Sequence, residues 1–448
     1  MSQPLDALTR SLLQAATKAG ADAAEAKAVQ ATSLSVDVRA GVLEQAERSE
    51  GIDIGLRVHV GQRAATVSAS DISERTIEEM ALRAVAMAQE APEDPFAGLA
   101  APEQLAQNWD IDALELCDPA GEPSPDMLQD DAARAEAAAL AVKGVTQVQS
   151  ASAGYGVQEV FSAMTNGFEG GYRRTDRGLS CVAIAGTGTG MERDYDGDGR
   201  IFQSDLRSAE DIGQSAGQRA VERLGARKPP TGAYPVLFDE RISSSLIGHL
   251  LSAVNGSAIA RGASFLRDAM GEAVLPDTLS LIEDPHRPRT SGSRPFDAEG
   301  LPTRKRMIVE NGVLQGWTLD LATARKLGLD PTGNAARSTS SAPSPTNWNM
   351  SLTEGMQTRD DLIKEMGTGL LVTSMIGSTI NPNTGDYSRG AAGFWIEKGE
   401  ITHTINECTI AGNLRDMLRN IVPANDARRH LSRVVPSLLV PGMTLAGA

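Results

Sequence analysis

The chain has 448 residues, 41% apolar and 22% charged, which allows a sizeable packed core and excludes wholesale disorder. At roughly 100–200 residues per domain, that length corresponds to about two to four domains. Asp and Glu total 58 against 42 Lys and Arg, and a net charge of −16 repels phosphates, which excludes nucleic acid and anionic membrane surfaces as natural partners.

Leu5, Leu8, Leu12, Leu13 and Ala16 recur at three-to-four spacing before Gly20 and predict a first helix. Leu34, Val36 and Val38 alternate with polar residues, as do Ile52, Ile54, Leu56, Val58 and Val60, so two strands are expected there. Gly61-Gln62-Arg63 turns into a further strand over Ala64–Ser68. Asp71 or Ser73 caps a helix from about Glu74 to Ala91, and a Pro- and acid-rich connector leads to Pro125. The plan then recurs with different residues. A helix is predicted over Met127–Val142, strands around Val145–Ser152, Val157–Met164 and Gly178–Gly186, and a helix over Ala209–Gly225.

Arg227-Lys-Pro-Pro-Thr-Gly232 cannot continue a helix and marks a boundary. Beyond it strands dominate: Tyr234–Phe238, Met307–Asn311, Val313–Trp317, Leu370–Ile376, Ala391–Glu397 and Glu400–Ile405. Asn311-Gly312 and Lys398-Gly399 are hairpin signals, because such turns favour φ > 0. Helices are expected near Ser243–Val254, buried, and near Leu414–Asn420. The predicted fold class is α/β (α+β) in the N-terminal half, with helices packed on a mixed or antiparallel sheet, followed by a β-rich C-terminal domain with one buried helix. The expected domains are 1–110, 111–227 (packed with the first) and 228–448.

Several chemistries lack their signatures. Cys117, Cys181 and Cys408 are far apart and odd in number, which argues against a disulfide scaffold or a cysteine zinc finger. No Gly-Lys dipeptide exists for a Walker loop, and Gly186-Thr-Gly-Thr-Gly190 lacks the dinucleotide spacing. Met-Ser-Gln-Pro carries no signal-peptide pattern, and no run approaches the ~18 apolar residues of a spanning helix. A cytoplasmic location is the expectation. Asp194, Asp196, Asp198 and Asp205 fall at positions 1, 3, 5 and 12 of a calcium-binding-like loop, with Gly199 at position 6 and Ile201 at position 8. The segment before Asp194 cannot supply the incoming helix, so an acidic solvated turn is the competing reading. His59 lies in a strand pattern, half-exposed. His249 sits in an apolar helix, where a lone histidine is a core residue or a ligand.

Asp297-Ala-Glu-Gly-Leu-Pro-Thr303, Val309-Glu-Asn-Gly-Val-Leu-Gln-Gly316, Asp330-Pro-Thr-Gly-Asn334 and Asn381-Pro-Asn-Thr-Gly-Asp-Tyr-Ser-Arg-Gly390 resemble the TldD/PmbA family. With Gly393-Phe-Trp-Ile-Glu397 and Ile410-Ala-Gly-Asn413, the resemblance is to the PmbA (TldE) branch. It implies a two-subunit zinc metallopeptidase. In that system the TldD branch carries His-Glu-x-x-x-His on a helix and a later cysteine, and the TldE branch helps to bind peptide. Set on that pattern, Ser244 replaces the first histidine and Ser245 the glutamate, and only His249 matches. No cysteine follows Cys408. The resemblance therefore implies no cofactor in this chain, zinc on a TldD-like partner, and His249 as a remnant of the zinc site. It also implies an extended peptide substrate held by strand addition, with Asn381, Asp386 and Arg389 as candidate contacts. The competing view of those three is a turn closed by local hydrogen bonds. Two alternatives stay open: an autonomous hydrolase using Ser245 and His249, four apart on one helix face, and a homodimeric peptide-binding scaffold.

Overall fold

The computed structural model describes residues 4–447. Helix α1 (Leu5–Lys18) buries Leu5, Leu8, Leu12 and Ala16, the stripe its spacing predicts. Helix α2 (Glu74–Glu90) is capped by Ser73, whose hydroxyl accepts from the Thr76 amide, while Asp71 braces the same turn. Six strands form one antiparallel sheet: β1 (Ala23–Arg39), β2 (Val42–Val60), β3 (Arg63–Ala69), β4 (Val145–Met164), β5 (Glu169–Ala185) and β6 (Glu192–Arg200). Their order is β3-β2-β1-β4-β5-β6. The β1–β4 ladder thus joins the two recurrent halves into a single sheet.

Ala24, Ala26 and Ala28 of β1 face α1 and α2, and Leu34, Val36 and Val38 of the same strand face α3 (Pro125–Leu140) and α4 (Ala209–Glu222). These residues share one parity, so all four helices lie on one face of the sheet. Alanine and glycine let the layers approach closely. A Cβ on Gly213 of α4 would sit 2.0 Å from the Ala135 carbonyl oxygen of α3. Close helix contact compensates for the scarcity of aromatic residues.

Two expectations need correction in this half. Residues 192–200, taken as a loop or turn, are the edge strand β6, paired with β5 from Arg177 to Ala185. His59 is buried, not half-exposed, with Nε2 3.2 Å from the Glu25 carboxylate.

The C-terminal region builds a barrel from β7 (Gly232–Phe238), β8 (Gly369–Ile380), β9 (Asp386–Glu397), β10 (Glu400–Asn413) and β11 (Leu438–Ala446). It closes where Thr409–Ala411 of β10 pairs with Thr444–Ala446 of β11. The β9–β10 turn has Lys398 and Gly399 at φ 53° and 77°, and the Asn311-Gly312 hairpin has 47° and 82°, as the dipeptides predict. Gly393 is required where β9 crosses β8, because a Cβ there would lie 1.9 Å from the Leu371 carbonyl oxygen. Helix α5 (Glu240–Ala253) sends Leu246, Ile247, Leu250 and Leu251 into one buried cluster with inward-facing strand residues such as Phe238, Val372, Ile410 and Val440. The short helix Leu414–Arg419 also forms as expected. No helix among the described residues is long and apolar enough to cross a membrane.

Candidate functional site

Helix α5 starts at Asp239, whose carboxylate accepts from the Arg241 amide and from Arg241 and Arg359 side chains. The apolar face of the helix seats in the barrel core. Ser245 and His249 lie one turn apart on α5, and His249 faces β9. The His249 ring meets Tyr387 edge-on at 5.8 Å between centroids. Tyr387 donates its hydroxyl to the Met375 sulfur at 3.4 Å, and burial pushes its pKa up to about 12. Arg389 follows two residues later on β9 and donates from Nε to the Gly377 carbonyl at 2.7 Å. Burial, and then the Arg389 charge, lower the His249 pKa, so the imidazole is kept neutral.

The Ser245 Oγ and His249 Nε2 atoms are buried without hydrogen-bond partners. The hydroxyl is therefore not bonded to the imidazole, and the Ser245–His249 dyad does not form. Among the described residues no carboxylate is bonded to the ring; the charge beside it is the Arg389 guanidinium. That is the reverse of a nucleophile–base–acid array.

The donor set does not fit the zinc that the family implies. Tight binding needs three or four imidazole, thiolate or carboxylate ligands. Here one imidazole stands among hydroxyls, a phenol and a fixed positive charge. Cys408, the last cysteine, donates to the Ala391 carbonyl at 3.2 Å, and burial pushes its pKa up to about 11. Among the described residues no three His, Cys, Asp or Glu side chains converge to hold a metal.

The acidic segment is not a calcium loop. Its extended backbone puts Asp194, Asp196 and Asp198 in a row on one face of β6, where each carboxylate meets a cation. Asp194 faces Arg241 and Arg223 at 3.4 and 3.6 Å, and Asp196 faces Arg207 and Arg219 at 2.8 and 2.9 Å. Asp198 pairs with Arg200 at 2.9 Å and lies 3.5 Å from His430 Nε2. Asp205 lies beyond the strand and pairs with Arg289. A wrapping loop would gather these oxygens around one point, whereas the strand spreads them out and arginines neutralise them.

The candidate peptide contacts separate. Asn381 Oδ1 accepts from the Asn383 and Thr384 amides, and its own amide bonds the Asp386 carbonyl. Asp386 accepts from Thr384 Oγ1 at 2.6 Å and Asn413 Nδ2 at 3.2 Å. Both residues serve the turn between β8 and β9. Of the three, Arg389 is the one placed beside His249.

Sequence reasoning missed a buried ionic cluster where the six-stranded sheet meets the C-terminal region. Glu25 contacts Arg57, His59 and Arg337 at 2.8, 3.2 and 3.0 Å. Nearby, Asp297 accepts from the amides of Glu299, Leu301 and Ala335, and burial pushes its pKa up to about 6. Burial and the charges of Asp297 and Asp320 push Glu299 well above the carboxylate range. Nothing in the local pattern of Asp297-Ala-Glu299 signals burial; tertiary packing imposes it.

Models of the PmbA/TldA metallopeptidase domain 1, central domain and C-terminal domain match residues 24–88, 118–224 and 231–447. Metalloprotease PmbA of Escherichia coli O157:H7 is 40% identical over 430 residues, covering 95% of this chain and 92% of that protein. A PmbA homologue from Haemophilus influenzae is 36% identical, covering 97% and 94%. A crystal structure of a putative modulator of DNA gyrase from Bacteroides thetaiotaomicron superposes with a TM-score of 0.91 at 28% identity, covering 99% and 98%. TldE from Thermococcus kodakarensis shares the fold with a TM-score of 0.85 at 21% identity, covering 98% and 100%.

Proposed function

Because the chain belongs to the PmbA/TldD metallopeptidase family, we propose that it is a non-catalytic, TldE-like subunit of a cytoplasmic zinc peptidase, paired with a TldD-like catalytic chain and helping to hold an extended peptide. One observation carries this reading. The helix that would supply a zinc ligand set offers Ser244, Ser245 and a single imidazole, with Arg389 beside it. A cation there would meet one soft donor and an existing positive charge. No side chain at the Ser245 position can take the proton of an attacking water. Zinc is therefore assigned to the partner, and none to this chain.

The contribution of this chain is binding. An extended peptide pairs its backbone with a strand, which gives affinity with little demand on sequence. Arg389 is the polar group of β9 best placed to meet a peptide carbonyl or carboxylate beside α5, because Asn381 and Asp386 are engaged in their own turn. The purified chain mixed with a TldD-like partner should cleave an unfolded or peptide substrate faster than the partner alone, with zinc confined to the partner. A mixture no more active than the partner, or stoichiometric zinc on this chain alone, refutes the proposal.

A further inference from the structure

Helix α5 has two faces. Leu246, Ile247, Leu250 and Leu251 enter the barrel core, while Ser244, Ser245, Gly248 and His249 form a half-buried stripe of small and polar residues. Gly248 is a point of close approach. A Cβ there would lie 3.3 Å from Nη1 of Arg433, so that guanidinium rests on the helix next to Ser244 and Ser245, the residues one turn earlier. Arg389 stands on the His249 side, with its Nε held by the Gly377 carbonyl. Neither guanidinium meets a carboxylate among the described residues. The acids at the start of α5 are already engaged, Asp239 with Arg241 and Arg359, and Glu240 with Arg428. In a chain of net charge −16 this stripe is therefore locally positive. It also holds two buried polar atoms without hydrogen-bond partners, Ser245 Oγ and His249 Nε2. Such groups are costly to leave unbonded, and each one asks what would meet it.

We propose that this stripe binds a carboxylate, the free C-terminus of a peptide, with the Ser245 hydroxyl and the His249 Nε2–H as neutral donors and Arg389 and Arg433 as charged ones. The inference rests on the peptide-holding role proposed above and adds which end of the peptide is held. An ionised carboxylate only accepts hydrogen bonds, so it suits a site made only of donors. Guanidinium–carboxylate bonds are the strong ones, being charge-assisted. The same charges that turn a metal ion away attract this ligand, so the site is the inverse of the zinc centre that the helix would otherwise carry. A terminal carboxylate belongs to the backbone. Recognising it makes no demand on sequence, in keeping with binding by backbone pairing. An Asp or Glu side chain would have to recur at one position of every substrate.

Fluorescence anisotropy on the full chain alone tests this. The probe is a short, uncharged Gly/Ala/Ser peptide labelled at its N-terminus, in three forms: free acid, C-terminal amide, and amide with one internal Asp. The free acid should bind about tenfold or more tightly than either amide, with the difference shrinking as salt is added. Ser245→Ala and Arg433→Gln should each weaken binding of the free acid by about fivefold or more and leave that of the plain amide unchanged. Melting temperatures matching the wild type show that both variants fold. No binding of the free acid, equal binding of acid and amide, preference for the internal Asp, or variants that hold the free acid as tightly as the wild type would each overturn the assignment. The peptidase role has its own readout. Stimulation of a TldD-like partner without selection for the free acid removes this site and keeps that role, whereas selection without stimulation removes the role and keeps the site.

Discussion

Arg337→Met tests the buried link between the sheet and the C-terminal region. The side chains of Arg337 and Glu25 are 3% and 2% exposed, with Nη1 3.0 Å from Oε2. Glu25 Oε2 and Arg337 Nε and Nη2 have no hydrogen-bond partner, so the attraction is between charges. Burial alone would raise the Glu25 pKa, but Arg337, His59 and Arg57 bring it from 4.5 down to about 2. That displacement corresponds to about 3 kcal/mol. Breaking one side of a buried pair costs about 3–5 kcal/mol, so the variant should lose that much at pH 7 in urea unfolding. The sign follows from linkage. A depressed carboxylate pKa gives stability that is present above pH 4.5 and lost as pH falls toward 2, so the difference between wild type and variant should shrink through that window. Glu25→Gln added to Arg337→Met should recover at least about 1 kcal/mol. A loss under about 1 kcal/mol, or a difference unchanged between pH 7 and pH 3, would refute the assigned coupling.

Other consequences can be measured separately. Asp297→Asn should flatten the pH dependence of stability between about 4 and 6, because the raised native pKa makes folding less favourable as pH rises through that range. His249→Gln should gain stability relative to wild type as pH falls below 6.5, since the buried imidazole resists a proton that the unfolded chain accepts; chemical unfolding at pH 7 and pH 5 measures it. Gly393→Ala should cost about 2 kcal/mol or more through its clash with the Leu371 carbonyl, read as a lower melting temperature. Burial pushes the thiols of Cys181 and Cys408 up to about 12 and about 11, so a thiol reagent should modify Cys117 alone in the native protein and all three after unfolding.

Much of the fold was legible because local pattern and tertiary role agree. The stripe of α1, the Ser73 cap, the Asn311-Gly312 and Lys398-Gly399 turns and the apolar run of α5 are where the sequence places them. Legibility failed where burial does not alternate. Residues 42–51 of β2 are exposed on both faces and carry no apolar alternation to read. Glycines 154 and 156 hide the continuity of β4, whose ladder with β1 passes through them unbroken. Strand β11 was not foreseen because Pro441-Gly442 reads as a break; the strand absorbs it as a register shift between Val440 and Met443. At the site, the place of α5 could be read directly from its apolar run. The neighbourhood of His249 could not, because Tyr387 and Arg389 reach it from a strand more than a hundred residues away.

The motifs that carry the family resemblance mostly hold the fold together. Asp297 ties three backbone amides, including that of Ala335. Asn334 donates to buried Glu283 at 3.0 Å, which also accepts from the Trp348 amide and from Arg306. Trp348 in turn donates to the Gly333 carbonyl. Asn381, Asp386 and Asn413 close the turn between β8 and β9 against the start of the Leu414–Arg419 helix. Each is a buried or turn-closing polar contact whose loss would leave a backbone group unpaired, at a cost of about 1–3 kcal/mol. Substituting Ser245 or His249 of α5 breaks no such contact, because Ser245 Oγ and His249 Nε2 are buried without a hydrogen-bond partner. A chain under these constraints can vary at those positions of α5 and keep its barrel. The resemblance is therefore strong evidence for architecture, and only the side chains of α5 and its neighbours on β9 speak to chemistry.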